Sequence, residues 1–200
     1  MKKQKQMGRL IILIGILLIN FSTVKAQKPL SAEQVLKEAF AKGKAQKKNI
    51  LVYFTASWCI NCHIMKDSLL EKPITRKLFD DNYIIASLTV LEQKDKKDLE
   101  NPGATELFKK YAAKGGGADN VGIPFYFVLD ADGKLLADSF YTPLGAGNGQ
   151  VEQIGRPFLL EEIYAFISLL KKTSSLDRGQ LEFLGKYLSV VPADYFKTQP

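Results

Sequence analysis

The chain has 200 residues, a formal net charge of +7 and two cysteines. That is length enough for one domain with a sizeable core, or one domain plus a small extension, and too few cysteines for a framework of several disulfides. Five positive charges and no negative one fall before Gln27, so the remainder carries only +2, which argues against a clustered basic face for nucleic acid.

Residues 1–26 read as a segment outside the fold. Lys2, Lys3, Lys5 and Arg9 form a basic stretch, 10–21 is an apolar run, and Val24 and Ala26 place small side chains at the −3 and −1 positions of a cleavage site. This is the pattern of a secretory signal. The apolar run is shorter than the roughly 20 residues that span a bilayer, so cleavage is expected and an uncleaved anchor is the alternative.

Ser31 followed by Gln34 predicts a capping box. Ala32, Val35, Leu36, Ala39 and Phe40 then recur at one-face helical spacing. Residues 49–55 form a short, nearly continuous apolar strand of the kind buried on both sides. The next helix begins near Cys59, with Cys62, Met65 and Leu69 along one side, until Pro73 interrupts it. Ile74, Leu78 and Phe79 resume the pattern. A second buried strand covers 83–91, a charged, turn-rich stretch 92–103, and a helix 104–114 that ends at Gly115-Gly116-Gly117. The mixed-sign run at 94–98 suits a solvated surface. A third strand at 125–129, a turn at 130–133 and a fourth strand at 134–140 make a hairpin. A glycine-bearing loop precedes Pro157. After it Leu159, Ile163, Phe166, Ile167 and Leu170 form a helical stripe, and a closing helix covers 176–188.

The chemistry concentrates at Trp58-Cys59-Ile60-Asn61-Cys62. A Cys-x-x-Cys between a strand and a helix puts the first sulfur at a helix N-terminus, where free amides and the helix dipole favour a thiolate. So short a bridge constrains the unfolded chain little, and redox chemistry is the better reading. Cys59 is read as the more exposed cysteine and the nucleophile, with Cys62 one turn on attacking back to release product. His63 completes a Cys-x-x-Cys-His string, the signature of c-type haem attachment, but that reading leaves Trp58 and Ile123-Pro124 without a part. His63 is instead a candidate for tuning the Cys59 thiolate, or a plain surface residue. Two cysteines and one adjacent histidine leave a tetrahedral metal site incomplete, so neither metal nor bound cofactor is expected. Gly145, Gly147 and Gly149 lack the spacing and the Lys-Ser/Thr of a phosphate loop.

The element order is α-β-α-β-α-β-β-α with a closing helix. With Trp-Cys-x-x-Cys after the first strand and Ile123-Pro124 before the third, the chain resembles the thioredoxin family. Within that family the pattern is closest to exported thioredoxin-like proteins and the soluble reductase domains of thiol:disulfide interchange proteins. The resemblance implies an α/β thioredoxin fold, a mixed sheet with helices on both faces, flanked by an N-terminal helix and a C-terminal helical extension. The expected division is a signal over 1–26, a thioredoxin-like domain over 27–172 and the extension over 173–200. It also implies that Trp58, Ile123 and Pro124 face the substrate, with the proline cis. Many thioredoxins carry a buried carboxylate six residues before the nucleophile. Here Tyr53 stands there, which leaves Tyr53, water or a carboxylate such as Glu71 to handle the Cys62 proton.

The activity implied is protein thiol-disulfide oxidoreduction, working as a reductase in the periplasm. Client proteins with disulfides or thiols and a membrane thiol reductase as electron donor are the expected partners, with the protein a monomer. The rival reading is a thioredoxin-like peptide-binding or chaperone module without turnover.

Overall fold

Ser31 opens the first helix with the reciprocal pair its spacing predicts: its Oγ accepts the Gln34 amide at 3.2 Å, and the Gln34 side chain accepts the Ser31 amide at 2.9 Å. The computed structural model describes residues 28–117, 119–147 and 149–195, with side chains as far as residue 190. The segment read as a secretory signal lies outside the described residues.

Helix α1 spans Ala32–Gln46 and strand β1 Asn49–Thr55. Helix α2, Ile60–Met65, widens into a π-type turn over Lys66–Leu70, and α3 starts afresh over Pro73–Asn82. Pro73 sits at the start of α3, where its missing N–H would have had no helical partner anyway. Strand β2 is Tyr83–Thr89, α4 Ala104–Ala112 and β3 Phe125–Leu129. The short strands β4, Leu135–Asp138, β5, Phe140–Tyr141, and β6, Glu152–Gln153, lead to α5, Leu160–Thr173, and α6, Arg178–Tyr195.

The main sheet has the order β2-β1-β3-β4. β1 runs parallel to β2 and antiparallel to β3, and β3 pairs antiparallel with β4. Strand alternation divides the core into two layers. Ile50, Val52, Phe54, Phe125, Phe127 and Leu129 face one side, against Ala39 of α1 and Ala104, Phe108 and Ala112 of α4. Phe54 packs within 6 Å of the rings of Phe108, Phe125 and Phe127, an aromatic cluster of the kind that dominates core energetics. Leu51, Tyr53, Tyr126 and Val128 face the other side, with both cysteines, Met65, Leu69, Phe79, Phe166 and Leu170. Helices therefore cover both faces. Leu181, Leu184 and Leu188 carry α6 onto this second layer, and the Tyr187 hydroxyl donates to the Ser68 carbonyl at 2.7 Å, which fastens α6 beneath the π-type turn.

Four sequence expectations need correction. β2 ends at Thr89, has Ser87 exposed and, among the described residues, is an edge strand with nothing paired on its far side. The strand expected over 134–140 breaks at Ser139: β4 stays in the main sheet, while Phe140 and Tyr141 pair with Gln153 and Glu152. Ile74, expected on the buried stripe of α3, is 57% exposed, since restarting the helix at Pro73 resets which face points inward. Leu159 is exposed and caps α5 rather than joining its stripe. The charged run over Lys94–Leu99 forms a 3₁₀ segment with no buried residue, a solvated surface as read from its charges.

Candidate active site

The first turn of α2 builds the site. Cys59 is the N-cap residue, in an extended conformation, and its Sγ accepts the Cys62 amide at 3.1 Å. Its carbonyl accepts the amides of Cys62 and His63 at 3.1 Å each. One of the amide donors that a helix leaves unpaired is thus aimed at the sulfur. Cys59 and Cys62 form a disulfide, S–S 2.06 Å. Both are buried, at 3% and 1% exposure. The reading of Cys59 as the more exposed holds in rank only, because the Ile123 segment closes over it.

That segment is the loop before β3. The Ile123–Pro124 peptide is cis, and the Ile123 carbonyl oxygen lies 3.4 Å from Cys59 Sγ. In the disulfide the sulfur carries no proton, so this is a contact. In the thiol form the same geometry allows S–H to donate to that carbonyl. The loop is held by a residue the sequence does not flag. Gln153 Oε1 accepts the Gly122 amide at 2.9 Å, while its Nε2 donates to the carbonyls of Gly122 at 2.8 Å and Pro124 at 2.9 Å.

On the other side, Trp58 is 48% exposed and its indole N–H donates to the Leu91 carbonyl at 2.8 Å, so it borders the site and is not core. Leu91 has φ +56°, an uncommon left-handed conformation for a branched side chain. Glu92, in the stretch read as merely charged, is 4% exposed. It accepts the Ser57 amide at 2.5 Å and the Ser57 hydroxyl at 2.8 Å, clamping the residue two before Cys59. The exposed His63 places Nε2 3.0 Å from the Ser57 carbonyl, so Nε2 carries the proton and donates.

Beneath the pair, the Tyr53 hydroxyl donates to the Cys62 carbonyl at 2.9 Å. Burial, and secondarily the Asp67 charge, push the Tyr53 phenol well above its ordinary value, so it stays neutral. Tyr126, opposite Tyr53 in the sheet register, is fully buried and raised likewise by burial first, then by Glu162 and Tyr53. Glu71 is exposed and paired with Lys66 at 3.4 Å. Beside the cysteines, Arg156 Nε donates to Asn61 Oδ1 at 3.1 Å.

Glu92, Gln153 and Arg156 are the site neighbours that sequence reasoning misses. None stands in a motif, and only the folded chain brings them to the cysteines. Among the described residues no three His, Cys, Asp or Glu side chains gather as a metal site, and no helix is long and apolar enough to cross a membrane.

Fold and site together define a class, the thiol-disulfide oxidoreductases built on a thioredoxin fold. A family model described as thioredoxin-like matches residues 31–131, half of the chain, and the chain belongs to that family. No curated protein matches the chain. Among solved structures, it is similar to a disulphide isomerase from Xylella fastidiosa Temecula1, at 23% identity over 60% of this chain and 77% of that one, TM-score 0.42. It is also similar to the oxidised C-terminal domain of DsbD from Neisseria meningitidis, at 23% identity over 55% and 84%, TM-score 0.36. A thioredoxin from Thermus thermophilus aligns over 86% of this chain and 94% of its own at 20% identity, TM-score 0.37.

Proposed function

We propose that the protein is an exported reductase of protein disulfides, with Cys59 attacking and Cys62 resolving. The observation that carries the assignment of roles is the Cys62 amide at 3.1 Å from Cys59 Sγ at the helix cap. That donor stabilises an anion on Cys59 and not on Cys62. The Cys59 thiolate attacks a client disulfide, forms a mixed disulfide and releases one client thiolate. The Cys62 thiolate then attacks Cys59 Sγ, releases the second client thiolate and leaves the Cys59–Cys62 disulfide. Two electrons have passed to the client.

Trp58, Ile123 and Pro124 form the client-facing rim in this reading, and Gln153 and the Glu92–Ser57 pair hold its two sides. His63 ties the first turn of α2 to Ser57 and so tunes the setting of Cys59. Tyr53, neutral and already donating to the Cys62 carbonyl, serves as a fixed donor rather than a base, so the Cys62 proton leaves by another route. Residues 1–26 direct export to the periplasm, 27–172 form the working domain, and 173–200 extend it, with α6 buttressing the layer under the cysteines. The dithiol is restored by a membrane thiol reductase, and the protein works as a monomer.

Reduction of insulin disulfides by the purified protein, with dithiothreitol as electron source, tests the activity. It should proceed with the unsubstituted chain and fail with Cys59→Ser. Direction is read in cells quenched with acid and alkylated. A mostly reduced pair that becomes oxidised when the donor is deleted supports the reductase, and a pair mostly oxidised in unperturbed cells makes the protein an oxidase or isomerase.

A further inference from the structure

The rim around the cysteines holds a cation that the exchange chemistry itself does not require. Trp58, Ile60 and Phe158 are 48%, 58% and 48% exposed, and Arg156 stands at this apolar rim. Its Nε is tied to Asn61, the residue between Ile60 and Cys62, and its guanidinium carbon lies 4.9 Å from the Phe158 ring centroid. One edge and one face of the guanidinium are therefore fixed, so little side-chain freedom is left to lose when a further group binds.

Its charge is not neutralised in place. Arg156 forms no ion pair among the described residues, whose bridges lie elsewhere. Glu162, whose charge it feels, spends Oε2 on the amides of Phe158 and Leu159 at 2.8 and 2.9 Å. Arg156 is half-buried, and burial pulls its pKa below the ordinary guanidinium value, with Glu162 opposing. A partly desolvated, oriented cation without a carboxylate is unfavourable in the free protein and is relieved by an incoming anion.

We propose that Arg156 is a specificity-determining residue that pairs with a carboxylate beside the reacting cysteine of the client, so that the site selects disulfides set in acidic sequence with apolar neighbours. The proposal rests on the exchange reading above and names the substrate class for that same site. The chemistry of electron transfer is unchanged: the protein dithiol becomes a disulfide, the client disulfide a dithiol, and two electrons and two protons pass between them.

The test uses two synthetic peptides, each closed by one disulfide and carrying one apolar residue, identical except for Glu or Gln next to a cysteine. The pre-reduced full-length protein is mixed with each in a single turnover. The Glu peptide should react faster by about two- to fivefold at low salt, the range for a partly exposed charge pair, and the advantage should fade in roughly 1 M salt. Arg156→Gln should bring the two rates together, and Arg156→Glu should reverse their order. The salt series needs no variant, so a Glu-peptide advantage that persists in roughly 1 M salt would overturn the charge pairing even where a substitution disturbs folding. Equal rates for the two peptides with the unsubstituted protein, or a preference that survives in Arg156→Gln, would overturn the assignment while leaving exchange intact. If neither peptide oxidises the reduced protein, the exchange reading fails and this one with it.

Discussion

Removing one oxygen from each of two facing tyrosines should move stability in opposite directions. Tyr53 and Tyr126 are register partners on β1 and β3 and share the layer that holds both cysteines. The Tyr53 hydroxyl donates to the Cys62 carbonyl at 2.9 Å. Tyr53→Phe removes a hydrogen bond with a net contribution of about 0.5–1.5 kcal/mol. The loss should sit in the lower part of that range, because the Cys62 carbonyl keeps the Lys66 amide as a second donor. The Tyr126 hydroxyl is buried, and among the described residues no protein group partners it. An unpaired buried hydroxyl costs about 1–3 kcal/mol. Tyr126→Phe removes that cost and keeps the ring, which packs edge-on against Phe166 at 5.7 Å. The two variants should therefore differ by roughly 2 kcal/mol or more, Tyr126→Phe above the parent and Tyr53→Phe below it. In a chain of this length each kcal/mol moves Tm by about 2–4 °C. Guanidinium unfolding of the oxidised proteins, followed by far-ultraviolet circular dichroism with the slope m unchanged, reads the difference. A Tyr126→Phe variant as destabilised as Tyr53→Phe would mean that the hydroxyl has a partner and that no buried cost is relieved.

Alkylation of the reduced protein against pH should give Cys59 an apparent pKa below the unperturbed value of about 8.5, with Cys62 reacting later. Equal rates, or Cys62 first, would remove the helix-cap account of reactivity. Gln153→Ala should slow reduction of a protein disulfide by about tenfold or less, since it frees the Gly122–Pro124 loop from three hydrogen bonds, and should cost about 1–3 kcal/mol of stability; an unchanged rate would show that the clamp does not set the loop for exchange. Alkaline titration offers a further check, because burial raises the phenols of Tyr53, Tyr83 and Tyr126 above the ordinary tyrosine value of about 10. The folded state holds these protons where the unfolded chain releases them, so their contribution is full below pH 10 and declines as pH rises beyond it. Phenolate absorbance from these three should appear with unfolding, and titration of all eight tyrosines near pH 10 in the folded protein would contradict it.

Elements with strong local signals were legible in the sequence. The capping box at Ser31, the apolar run of β1 and β3, the break at Pro73 and the cysteine pair at a strand-to-helix junction each depend on residues close in the chain. What was not legible depends on long-range closure. The edge position of β2 follows from strand order, which periodicity does not encode, and the break at Ser139 reflects a second pairing with residues 152–153. Gln153, in the two-residue strand β6, and Arg156, just after it, stand in no motif and reach the site only because this segment folds back across it. Glu92 stood unmarked in a stretch read as charged and turn-rich because its partner, Ser57, is 35 residues away. Within the site, the cysteine pair was accessible to spacing and the Ile123-Pro124 loop to the thioredoxin resemblance, and the side chains that hold them were accessible to neither.

In the exchange proposed above, Cys59 captures a client sulfur and Cys62 releases it. Reduced Cys62→Ser and reduced Cys59→Ser, each mixed with an excess of a protein disulfide, quenched with acid, digested and mapped by mass spectrometry, test it most directly. A persistent mixed disulfide is expected at Cys59 in the first variant and no comparable adduct in the second. An adduct that forms as readily at Cys62 in the Cys59→Ser protein, or no adduct at Cys59 at all, would contradict it.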